Sequence, residues 1–204
     1  MYYDPSGYKM TDEDLAKIMY DTDGSGYAYY QNRDYSHGLN KKGASRHYEG
    51  KVGFQAHHML QGKWAEANLS DYGYKYGKAP TISLGTGKYV DESGNVVDSP
   101  HNYANNAQRQ RQKNRGGLYY STLNSELVFG ATDLIRAGMS EGLVMSELER
   151  NYRMIDALNR QSSEKIQSGE LKLLEYDRAA IERVVHDYAE QQKIERERIK
   201  QQNC

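Results

Sequence analysis

Cysteine is almost absent from this chain: there is one, Cys204, at the last of 204 positions. Without a second thiol there is no intramolecular disulfide, and neither a cysteine-based zinc cage nor a thiol-dependent deaminase motif can be assembled. Any metal must be held by His, Asn, Asp or Glu. Apolar residues are also scarce, at 37% with a mean hydropathy of -0.95, so part of the chain is expected to be solvated helix, loop or tail. No apolar run is long enough to span a bilayer, and the opening "MYYDPSGYKMTDEDLAKIM" has neither the basic start nor the apolar stretch of a signal peptide. If the chain is exported, another system or another part of a larger polypeptide is expected to carry it. Net charge is lacking too: 27 basic and 28 acidic residues leave -1. Attraction to nucleic acid or to a membrane surface therefore has to come from local clusters.

Tyrosine, by contrast, is plentiful, with 19 residues whose rings can fill a core and whose hydroxyls suit wet interfaces or base-stacking surfaces. Composition divides the chain at about residues 50 and 158. Residues 1–50 are rich in Gly, Tyr, Asp and Asn and read as loop apart from a short helix in "TDEDLAKIMYD", which Thr11 would cap. Here "DTDGSGY" imitates the start of a calcium loop. Counting Asp21 as the first ligand, however, the position that needs a bidentate Glu is Asn32, so the stretch reads as a turn. In residues 51–158, "KVGFQAHHML" reads as a strand ending at two histidines, "KWAEANL" as a helical turn, "SDYGYKYGKAP" as a loop and "TISL" as a strand. "KYV" and "NVV" are strand-prone around a turn at Gly94 and Asn95, and "HNYANNAQRQRQKN" is a helix capped by Ser99 with Pro100 at its first position. Two amphipathic helices follow, the first ended by Gly138. Residues 159–204 read as a linker and a charged amphipathic helix that is solvated or faces a partner.

The pair His57 and His58 at a strand end suggests chemistry. In a small nuclease centre of the ββα-metal type a divalent ion polarises the phosphodiester while a histidine takes a proton from the attacking water, and neighbouring histidines suit that division of labour. His101 is the candidate third group, at the start of a helix after the strands, with Asn105 one turn further along the same face. Arg109, Arg111, Lys113 and Arg115 follow within one short stretch, where their cationic heads can hold phosphate oxygens. Trp64 is read as packing. His37, His47 and His186 are read as ordinary loop or surface groups.

The segments "QAHHMLQGKW", "YGKAPTISL", "DSPHNYANNAQ" and "DLIRAGMSE" together resemble the HNH/endonuclease VII superfamily, in its paired-histidine, AHH-like branch found as C-terminal toxin domains of bacterial polymorphic toxins. The likeness spans roughly residues 51–158, and "YYDPSGY" is similar to the end of an Rhs core where a variable toxin begins. It implies an α+β fold, a ββα-metal core in a mostly helical domain with a long charged C-terminal helix. It also implies cleavage of DNA with a divalent metal ion (Mg, Mn, Ni or Zn), delivery into a competing cell, action in its cytoplasm, and neutralisation at home by a cognate immunity protein. Carried over by position, His57 matches a metal ligand, His58 the general base and His101 the ligand on the motif helix. Asn105 is the nearest match to the final ligand, with Gln108 and Asn102 as alternatives that could hold the site together. The central Asn of the motif has no clear counterpart, Asn95 and Asn68 being the candidates. Two other readings compete: a metal-independent ribonuclease with His58 and His101 as base and acid, and a non-catalytic helical module that binds a partner protein.

Overall fold

The computed structural model describes residues 29–32, 41–47, 50–86, 89–90 and 96–202. The helix and turn expected before residue 28, the turn at Gly94 and Asn95, and His37 all lie outside the described residues.

The fold is α+β. Strands β1 (Tyr29–Asn32), β2 (Lys41–His47), β3 (Gly50–His57) and β4 (Thr81–Thr86) form one antiparallel sheet in the order β1-β4-β3-β2. The expected strand before the histidines is β3, and its register pairs His57 with Ile82 and Gln55 with Leu84 of β4. The short strands β5 (Tyr89–Val90) and β6 (Val96–Val97) pair with each other, as their β-prone residues predict. One expectation is corrected here. Residues 29–32 and 41–47, read as loop because Gly, Tyr and Asn interrupt any apolar alternation, are strands that complete the sheet.

Six helices follow among the described residues: α1 (Gly62–Leu69), α2 (Pro100–Asn114), α3 (Leu123–Arg136), α4 (Glu141–Gln161), α5 (Ser163–Gln167) and α6 (Arg178–Gln202). Helix α2 starts where its sequence says it should: Ser99 is extended and its hydroxyl accepts from the Asn102 amide at 3.3 Å, with Pro100 at the first position. Helix α3 is capped in the same way by Thr122. The core is the apolar stripe of α3 (Leu127, Ala131, Leu134, Ile135) set against that of α4 (Val144, Leu148, Tyr152, Ile155), closed by Ile82 and Leu84 of β4 and by Met59, Trp64 and Leu69. Trp64 is a packing residue, fully covered, with its indole N–H donating to the Ser121 carbonyl at 3.0 Å.

The C-terminal region also departs from its reading. "RQSSEKIQSGE" is not a plain linker, because it finishes α4 and forms α5. The first half of α6 belongs to the core: Ile181 and Val185, one turn apart, are buried against the other helices. His186 on the outer face is no ordinary surface group, since its Nδ1 lies 2.7 Å from a Glu141 carboxylate oxygen at the start of α4, which raises its pKa.

Candidate active site

Strand β3, strand β4 and helix α2 make a strand, strand, helix unit, and its geometry brings three of the six histidines together. His57 is the last residue of β3, His58 follows it, and His101 is in the first turn of α2. All three are buried. The rings of His57 and His101 meet edge to face with centroids 5.8 Å apart. They line a polar cleft of about 340 Å³ whose other walls include Tyr76, Asn105, Gln108, Arg109 and Gln112. Positions 101, 105, 108, 109 and 112 are one face of a 3.6-residue helix, so α2 presents a single polar stripe to the strand end.

His58 is oriented by backbone. Its Nε2 lies 3.2 Å from the carbonyl oxygen of Tyr76, and a carbonyl only accepts, so Nε2 carries the proton and the basic lone pair is on Nδ1. The Tyr76 ring packs on the imidazole with centroids 4.2 Å apart. Of the two candidates for the central Asn of the motif, Asn95 lies outside the described residues, and Asn68 is exposed and donates to the Trp64 and Tyr119 carbonyls. Sequence reading had no means of finding the Tyr76 carbonyl, because every residue carries one.

Gln108 braces the strand end from α2. Its buried amide nitrogen lies 3.1 Å from the His58 carbonyl, 3.4 Å from the Met59 carbonyl and 3.3 Å from His57 Nε2. Two hydrogens are shared among three acceptors, so the His57 lone pair is only partly engaged. Of the two alternatives named for holding the site, Gln108 has this position and Asn102 is exposed.

Burial sets the charge state. It pushes the His57 imidazole down to about 3, with His101, His58 and Arg111 acting in the same sense. It pushes His58 down to about 4, against the Tyr76 hydrogen bond. His101 is also lowered, by burial and then by Arg109. All three rings are therefore neutral near pH 7, the form that can accept a proton or ligate a metal.

The basic run divides. Arg109 and Lys113 are exposed, and Arg109 lines the cleft. Arg111 instead pairs with Asp133 at 2.5 Å, and Arg115 with the buried Glu126 at 2.9 Å, both stacking on Phe129 of α3. Two of the four cations expected at phosphates thus tie α2 to α3, and Arg109 and Lys113 are the two left exposed.

Residues 51–156, more than half of the chain, match the family model described as an HNH/endonuclease VII superfamily toxin with a SHH signature. The chain belongs to this superfamily. The matching model is that of a toxin domain of this superfamily, and in this chain the residues at the histidine pair read Ala56, His57, His58. No curated protein and no solved structure matches the chain.

The site can be tested for the divalent ion that the superfamily implies. Among the described residues no three His, Cys, Asp or Glu side chains group into a metal cage. The two imidazoles nevertheless fit a shared ion. Ring nitrogens about 2.1 Å from one ion put ring centroids no more than roughly 6.5 Å apart, and theirs are 5.8 Å apart. The Nδ1 atom of His101 is buried with no hydrogen-bond partner among the described residues, as expected of an atom built to meet something other than protein. Two imidazoles with an amide oxygen and water complete a donor set suited to a borderline divalent ion.

Proposed function

We propose that this toxin domain is a metal-dependent endonuclease that hydrolyses DNA with little sequence preference, deployed in competition between bacteria. The observation that carries the reading is the pairing of His58, whose Nε2 is committed to the Tyr76 carbonyl, with the facing His57 and His101 rings in one cleft. His58 is the general base: its Nδ1 takes the proton of the attacking water. His57 and His101 hold the divalent ion, with Asn105, which lines the same cleft from the same helix face, as a further oxygen donor. When bound, that ion supplies Lewis-acid charge to the phosphoryl oxygen. Arg109 and Lys113 hold backbone phosphates, contacts that carry no sequence information. Gln108 keeps the histidine pair at its station.

The domain acts in the cytoplasm of the target cell after delivery as part of a larger polymorphic, Rhs-type toxin, and a cognate immunity protein protects the producer. A ribonuclease using His58 and His101 as base and acid would need one of them as imidazolium near pH 7. Burial disfavours that form in both.

Calorimetric titration of Ni²⁺, Zn²⁺, Mn²⁺ and Mg²⁺ into wild type, His57→Ala and His101→Ala tests the ligand assignment. The expected result is one ion per wild-type chain and loss of binding in both variants, with His58→Ala still binding. Equal binding by all four proteins would refute it.

A further inference from the structure

The segment after α2, "RGGLYYS", is exposed on one side and tied down on the other. Gly116 and Gly117 have φ of +63° and +81°, left-handed values that glycine adopts without strain, and they turn the chain out of the helix. Residues 118–121 then alternate. The inward pair is fastened by four hydrogen bonds: Tyr119 by Asn68 on its carbonyl at 2.9 Å and Gln112 on its hydroxyl, and Ser121 by the Trp64 indole at 3.0 Å and Arg115 at 2.9 Å. The outward pair is Leu118 and Tyr120, 60% and 66% exposed. An extended segment held this firmly has little freedom to hide its outer face, yet that face carries a leucine and a tyrosine where a solvated rim would carry polar groups.

Location identifies the occupant. Gln112, which holds Tyr119, is itself a wall of the cleft, so the rim is continuous with the site. The exposed cations Arg109 and Lys113 lie one turn apart on α2 between His101 and this rim. At 1.5 Å per residue the helix runs about 20 Å from His101 to Asn114, roughly six nucleotide steps of one strand. A strand whose phosphates follow those cations out of the cleft arrives at Leu118 and Tyr120.

On the nuclease reading above, we propose that Leu118 and Tyr120 form a secondary nucleic-acid contact that takes unstacked bases several nucleotides from the cut, Tyr120 by stacking and Leu118 as an apolar wedge. The rim thereby favours substrates whose bases open easily, that is, single strands and flexible duplex steps over stiff duplex.

The test uses the full chain with Leu118→Ser and Tyr120→Ser combined, both on exposed side chains, so that the fold is kept and checked by an unchanged Tm. Cleavage of a single-stranded 20-mer is compared with that of a 4-mer too short to reach the rim. The double variant should show a KM about tenfold higher on the 20-mer with kcat unchanged, and no change on the 4-mer. Anisotropy of a labelled 20-mer with His58→Ala background proteins, in EDTA, should show the same loss of affinity without any cleavage. Equal KM and affinity for both proteins would overturn the proposal and leave the rim to a protein partner, while wild-type cleavage left the nuclease reading intact. No binding and no cleavage by wild type would overturn both.

Discussion

Gly130 gives the sharpest structural prediction, because two effects of opposite sign meet there. It lies within α3, where replacing glycine by alanine ordinarily stabilises a protein by about 1 kcal/mol. A Cβ built on Gly130, however, would fall 2.2 Å from the Met59 carbonyl oxygen and 2.7 Å from Met59 Cγ. That oxygen is backbone and cannot rotate away, and it is one of the acceptors through which Gln108 fixes the histidine turn. Restoring contact distance requires roughly 1 Å of movement between α3 and the residues after His58, and overpacking of this kind costs about 1–3 kcal/mol. Gly130→Ala should therefore be less stable than wild type by up to about 2 kcal/mol after the propensity gain, and a shift of that size at the base should lower kcat by about a hundredfold. Urea denaturation and nuclease rates measure both. Gly142→Ala is the control: it is also helical, with nothing within 4 Å of the new Cβ, and should be neutral or slightly stabilising. A Gly130→Ala protein as stable as the control and fully active would refute the packing of α3 on the histidine turn.

Further outcomes follow from the same geometry. Gln108→Leu keeps the volume but leaves the His58 and Met59 carbonyls without their donor, so denaturation should show a loss of about 1–3 kcal/mol, and kcat should fall more than KM rises. Arg109→Ala should raise KM and lower the salt slope of DNA binding by about one, with Tm unchanged. Arg115→Ala should do the reverse, costing about 3 kcal/mol because the Glu126 carboxylate is left buried without its partner. The pH dependence has a worked sign. His57 and His58 bind protons in the unfolded chain near pH 6.5 but in the folded chain only near 3 and 4, so the unfolded state binds more protons in between and acid destabilises the fold. Glu147, pushed up to about 7 by burial despite Arg150, works in the opposite sense between 4.5 and 7, and Asp133 is also raised by burial. With His101 also lowered, three buried imidazoles oppose two carboxyls and the exposed His186, and Tm in EDTA should fall from pH 6.5 toward 4. A Tm that is flat or rises toward acid would contradict neutral, buried histidines.

The parts of the fold that sequence reveals are those with local causes. The Ser99 cap and Pro100 locate the start of α2 within a residue, and the face shared by His101 and Asn105 follows from helix periodicity alone. The end of β3 and the start of β4 show in the same way, as strand residues stop at the histidines and begin after Pro80. What stayed hidden depends on the fold's return upon itself. Arg111 and Arg115 look like phosphate ligands until α3 brings Asp133 and Glu126 beside them. The Tyr76 carbonyl that orients His58 has no signature in residue type, and nothing local marks Gly130 as the position that faces Met59. One missed feature did carry a signal. Ile181 and Val185, spaced four apart in a charged helix, mark the half of α6 that joins the core.

The most direct test of the central claim is cleavage of supercoiled plasmid DNA by purified wild type and His58→Ala, each with EDTA, Mg²⁺, Mn²⁺, Ni²⁺ or Zn²⁺. Wild type should nick the plasmid with a divalent ion and not with EDTA, and His58→Ala should lose at least a hundredfold although its fold and metal binding persist. Full activity in His58→Ala, or wild-type cleavage undiminished by EDTA, would contradict that claim.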